Sequence, residues 1–173
     1  MKIHVALVAM LALAAVGCDD DDDPVGGDIP DPLEFTATLT GAAERPDPVT
    51  TTATGAATFT VTKGSATGYD PNSSGATTVT YSVTVADLSG PSTMAHIHGP
   101  AGVEEAAGVI VPLTVTSSNT SGMIISGTFS TTGNAAVSMD SLVVLLRNGN
   151  SYVNVHTDAN PPGEIRGQII EVP

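Results

Sequence analysis

At 173 residues, with 41% hydrophobic and 13% charged side chains, the chain is long enough for one packed domain and short for two. Its 5 basic and 18 acidic residues give a net charge of −13, which excludes a nucleic-acid binder built on clustered Lys and Arg. A lone cysteine, Cys18, excludes an intrachain disulfide framework and any cysteine-cluster zinc site.

The chain opens with Met1-Lys2-Ile3-His4, an apolar run from Val5 to Val16, then Gly17 and Cys18. A short basic start, an apolar core and small residues before a cut mark residues 1–17 as a secretory signal. The run falls short of the ~20 apolar residues that span a bilayer. Ala15-Val16-Gly17-Cys18 resembles the bacterial lipobox, in which the cysteine is acylated and heads the mature chain. The competing reading is a plain secretory signal with an incidental cysteine. That Cys18 has no second copy elsewhere favours lipid attachment. Each buried acyl CH₂ adds about 0.8 kcal/mol, so such an anchor holds without a spanning helix. It places the chain in the cell envelope, facing the periplasm or the cell surface, with a membrane as its first partner.

Residues 18–32 read as the lipidated cysteine and a tether. Asp19 to Asp23 repel one another, and Pro24, Gly26, Gly27, Pro30 and Pro32 resist packing. The acidic run lacks the alternating ligands and fixed glycine of a calcium loop.

From Leu33 to Pro173 the texture changes. Phe35, Ala37 and Leu39 alternate with threonines; so do Ala57, Phe59 and Val61, and then Val79, Tyr81, Val83 and Val85 alternate with Thr and Ser. A period of two marks strands with one buried face. Further strands are expected at Met94–His98, Val109–Val115, Met123–Phe129, Tyr152–His156 and Glu164–Val172, punctuated by Gly, Pro, Asn and Asp. Ser141–Arg147 fits either a buried strand or a short helix; Asp140, as a cap, tilts it toward helix. The expectation for 33–173 is an all-β domain: an antiparallel β-sandwich, immunoglobulin-like or of a related Greek key, with about eight strands and one short helix near 140–147.

His96 and His98 are two apart, so in a strand they share a face and can hold one metal ion. Tyr152, Asn154 and His156 share a face of another strand, which brings His156 within geometric reach as a third ligand. Three neutral imidazoles suit copper or zinc. The competing reading gives each histidine a hydrogen bond to backbone or carboxylate, holding a loop. A further oxygen ligand would come from Glu104, Glu105, Asp158, Glu164 or water. Glu164 and Arg166 share a strand face and form a candidate structural ion pair that fixes the last strand in register; an anion site is the alternative. No Gly-x-Ser-x-Gly elbow or phosphate-binding loop occurs, so no catalytic residue is assigned.

Three blocks in order then resemble the CHRD (chordin) domain family, as a bacterial lipoprotein member: Ala95-His96-Ile97-His98-Gly99-Pro100-Ala101, then Tyr152-Val153-Asn154-Val155-His156-Thr157, then Asn160-Pro161 with Gly163-Glu164-Ile165-Arg166-Gly167-Gln168. The opening Phe35-Thr36-Ala37-Thr38-Leu39-Thr40-Gly41, with Glu44 and Pro46, fits the same domain. The turn Glu44-Arg45-Pro46-Asp47-Pro48 and the loop Tyr69–Gly75 depart from its usual pattern. The resemblance implies an extracytoplasmic β-sandwich used for binding. The His-x-His strand is also similar to that of copper/zinc superoxide dismutase, whose further histidines and disulfide are missing here.

The expected function is therefore a lipid-anchored extracytoplasmic module with a non-catalytic binding or structural role, acting on a protein or polysaccharide partner. The alternative is a copper- or zinc-binding protein using His96, His98 and His156.

Overall fold

The computed structural model describes residues 32–65, 68–69, 76–134 and 136–173. The signal expected over 1–17, the anchor at Cys18 and all but the end of the tether lie outside the described residues, as does most of the loop after Tyr69. The elements are β1 (Leu33–Thr40), a 3-10 turn (Gly41–Ala43), β2 (Thr54–Ser65), β3 (Gly68–Tyr69), β4 (Thr77–Ala86), β5 (Ser92–His98), β6 (Val109–Leu113), β7 (Gly122–Phe129), α1 (Met139–Arg147), β8 (Tyr152–Thr157), β9 (Ile165–Gln168) and β10 (Ile170–Glu171).

The domain is all-β and antiparallel. Eight strands form one path in the order β6-β5-β8-β9-β1-β2-β4-β7, while β3 pairs with β2 and β10 with β1. The path folds over on itself. Val115, just past β6, bridges Ile125 of β7, and the amides of Thr116 and Ser117 both donate to the Ile124 carbonyl. Two facing layers thus belong to one nearly closed, sandwich-like sheet. Pro112 sits within β6 and lacks an amide to offer outward. The Asn134 side chain donates to the Val109 carbonyl at 3.2 Å.

The alternating residues meet inside. Phe35 is the register partner of Phe59, and Phe59 of Tyr81, so an aromatic row crosses β1, β2 and β4. Ala95 and Ile97 of β5, Val153 and Val155 of β8, and Ile165 of β9 complete the buried layer from the other side. Position 167 must be glycine for space: a Cβ there would collide with the Thr38 carbonyl, so β9 could not lie this close to β1.

The segment Ser141–Arg147 is helical, as part of α1, and buries Leu142, Val143 and Leu146. Its cap is Ser138, not the expected Asp140. Ser138 has extended backbone, and its hydroxyl accepts from the Ser141 amide at 3.1 Å. Asp140 lies inside the first turn and pairs with Lys63 at 3.0 Å. Among the described residues no helix is long and apolar enough to cross a membrane.

Candidate metal centre

The β5-β8-β9 portion of the sheet turns its apolar face to the core and a polar face outward. In register, His98 opposes Tyr152, His96 opposes Asn154 and Met94 opposes His156; Asn154 in turn opposes Arg166, and Tyr152 opposes Gln168. Two loops close over this face. In residues 99–108, the carbonyls of Ala101 and Gly102 accept from Gln168 at 2.8 Å and from Arg166 at 3.0 Å. Arg45 of the loop after the 3-10 turn ties the two covers together through Glu104 at 2.9 Å.

The three histidines predicted to cooperate do come together. One ligand nitrogen from each of His96, His98 and His156 lies within 4.8 Å of the others. His96 Nδ1 is 3.0 Å from His156 Nε2. The outer nitrogens fix the ring orientations. His98 Nδ1 donates to the Ala107 carbonyl at 2.9 Å, and His156 Nδ1 donates to the Pro161 carbonyl at 2.8 Å. A carbonyl only accepts, so both Nδ1 atoms carry hydrogen and both Nε2 atoms of the neutral rings present lone pairs. Backbone acceptors behind imidazoles are what metal-ligating histidines commonly have.

His98 Nε2 is buried and has no hydrogen-bond partner. A buried lone pair without a donor carries an energetic cost, which an ion would relieve. Nitrogens sharing a tetrahedral ion at about 2.0–2.1 Å sit roughly 3.4 Å apart, so the triad needs only a small adjustment.

The electrostatics keep the rings neutral. Burial, then the neighbouring His156 and His98, push His96 down to about 4. Burial likewise lowers His98 and His156, with the Ala107 and Pro161 carbonyls opposing it. Neutral imidazole is the ligating form. His96 is half-buried while the other two are buried, so the centre opens at His96.

Beside the triad lies a second polar group. Glu44 and Asn154 are buried, with Glu44 Oε1 and Asn154 Oδ1 unpartnered. Burial pushes the Glu44 carboxyl up to about 7, against the pull of Arg166 and of the Asn154 amide. Gly163, at φ 142°, leaves the room these side chains need; a Cβ there would stand 2.8 Å from Asn154 Nδ2. Glu44 also lines a cleft of about 220 Å³ between residues 44–49 and 159–163.

The expected Glu164–Arg166 ion pair does not form. Glu164 lies before β9, after the left-handed Gly163, so strand alternation does not yet apply to it. Its carboxylate accepts from Thr51 at 2.9 Å, from the Ser89 amide at 2.9 Å, from the Ser89 hydroxyl at 2.7 Å and from Thr157 at 2.8 Å. Burial alone would raise this carboxyl; the Ser89, Thr157 and Thr51 donors together outweigh it and hold it below the usual range. Arg166 instead lies 3.5 Å from the centroid of the Tyr152 ring. None of the candidate oxygen ligands Glu104, Glu105, Asp158 and Glu164 joins the triad. Glu104 pairs with Arg45, and Glu105 accepts from the Gly102 amide at 3.0 Å.

Sequence reasoning missed Glu44 as a neighbour of the centre, because loop closure brings it there. The available signals were its place after the small residues Gly41-Ala42-Ala43 and its fit, with Pro46, to the opening of the domain it resembles.

The family model of the CHRD domain matches residues 35–169. No curated protein and no solved structure matches the chain.

Proposed function

The chain belongs to the CHRD domain family, and from that premise we propose that it is an extracytoplasmic binding module, lipid-anchored through Cys18 and non-catalytic, that takes a copper or zinc ion on His96, His98 and His156. The observation that carries this reading is the buried, partnerless Nε2 of His98, close to the His156 Nε2 lone pair and the His96 Nδ1 that now share one hydrogen bond, which an ion would replace once His96 Nδ1 gives up its hydrogen. The proposed anchor and the tether over 18–32 would hold the domain away from the bilayer. The signal, the lipid and the envelope location rest on the sequence pattern of residues 1–32.

A second reading is favoured by a different observation. The His98 and His156 rings each already hold a loop carbonyl, at Ala107 and Pro161. On that reading the histidines are structural, and the module binds a protein or polysaccharide.

Metal analysis of the full chain separates the two. After exposure to copper or zinc and removal of free ion, the expected result is one ion per chain, lost in His96→Ala/His98→Ala. No retained ion in the parent protein would return the histidines to loop fixing.

A further inference from the structure

The outward face of β5 carries one more potential ligand than the histidines. Met94, His96 and His98 stand at alternate positions, while Ala95 and Ile97 face the core. The register partner of Met94 across β8 is His156 itself. Directly opposed residues of an antiparallel pair have Cβ atoms about 4.5–5.5 Å apart, within reach of a methionine side chain. Met94 is 47% exposed, so the core makes little use of it. Its unbranched thioether is free to swing between rotamers.

We propose that Met94 supplies a thioether ligand beside the three imidazoles and that the centre thereby selects Cu(I) over zinc. This rests on the metal reading above and names the metal. Two arguments carry it. Thioether sulfur is a soft ligand that suits Cu(I), whereas zinc takes thiolate, imidazole and carboxylate. The second concerns charge. His96, His98, His156 and Met94 are all neutral donors, and no carboxylate joins them. A dication in this half-buried site would keep its full charge, and the desolvation penalty grows steeply with charge; a monocation suffers far less.

The test uses the full chain carrying Cys18→Ser, which removes a competing thiol. Cu(I) affinity is measured anaerobically by competition with a chromogenic chelator, and Zn²⁺ affinity in parallel. Met94→Leu preserves volume at an exposed site and so preserves the fold. The expected result is a fall in Cu(I) affinity of at least the roughly tenfold that losing an outer-shell partner causes, with Zn²⁺ affinity unchanged. X-ray absorption of the Cu(I) form should show a sulfur neighbour that Met94→Leu removes. Equal Cu(I) affinity in parent and Met94→Leu, with binding abolished by His96→Ala/His98→Ala, overturns Met94 ligation and leaves the triad standing. A parent that holds Zn²⁺ more tightly than Cu(I) overturns the selectivity. A parent that holds neither ion overturns the triad reading and this inference with it.

Discussion

The Tyr152 ring and the His98 imidazole lie parallel, centroids 4.8 Å apart and planes 1° from one another. With Ala107 holding His98 Nδ1, this stack leaves the ring one orientation. The Tyr152 hydroxyl also bonds the Ala107 carbonyl at 3.3 Å, so one tyrosine braces both the ring and its acceptor. Tyr152→Leu should therefore weaken copper binding by about 10–100-fold, the range seen when outer-shell support is lost. Tyr152→Phe keeps the stack and loses only the hydroxyl, and should fall between parent and Tyr152→Leu in the same competition titration.

Glu44 makes stability depend on pH in an unusual sense. Its carboxyl sits at about 7 in the folded chain against an ordinary 4.5. Between these values the folded chain keeps a proton that the unfolded chain has released. The contribution is complete below pH 4.5 and is lost as pH climbs to about 7. At roughly 1.4 kcal/mol per pKa unit, the loss amounts to about 3 kcal/mol. The lowered histidines act in the opposite direction over part of the same range, so the comparison must be with Glu44→Gln, which retains them. Urea unfolding from pH 4 to 8 should show the parent losing stability relative to Glu44→Gln as pH rises; a constant difference would refute the buried, protonated carboxyl.

Glu164 behaves in the opposite way. Held below the ordinary range, its carboxylate contributes fully above pH 4.5, and the contribution is lost as pH falls. Its four accepted hydrogen bonds join the loop at Thr51, the loop at Ser89 and the end of β8. Glu164→Ala strands all these donors and should lower stability by about 3 kcal/mol or more in urea unfolding at neutral pH. Glu164→Gln restores size but places an amide among donors, and should recover only part of the loss. Arg166→Lys, by contrast, should leave this contribution unchanged, because the two residues do not pair.

The proposed anchor makes its own prediction. Cells expressing the chain and fed a labelled fatty acid should incorporate label, and Cys18→Ser should abolish it and move the protein from the membrane to the soluble fraction. Label retained in Cys18→Ser would place any lipid elsewhere.

The strands were legible because their inner and outer faces meet different solvents. Phe35-x-Ala37-x-Leu39 and Val79-x-Tyr81-x-Val83-x-Val85 are buried at each apolar position, as their period of two requires. The helix was ambiguous over seven residues, and its cap was misplaced because a hydroxyl two positions upstream had the extended backbone a cap needs. In the centre, the shared face of His96 and His98 followed from alternation, but His156 joins them only because β8 lies beside β5, which alternation does not specify. What alternation cannot supply is the loop layer above the sheet. Glu44 reaches Asn154 through a turn between β1 and β2, and Glu164 finds Thr51 and Ser89 across more than seventy positions of chain. Gly163 breaks the strand rule one residue before β9, so the sequence pattern of Glu164 and Arg166 suggested a partnership that the backbone does not provide.

The near-closure of the sheet matters once many copies share a surface. A row of open amides and carbonyls at a sheet's end is a template on which a neighbouring molecule can extend. Here Val115 and Ile125 use each other, Pro112 offers no amide, and Asn134 covers the Val109 carbonyl. Domains crowded side by side can therefore touch without knitting their strands together, and a dense array of them would remain a collection of separate molecules.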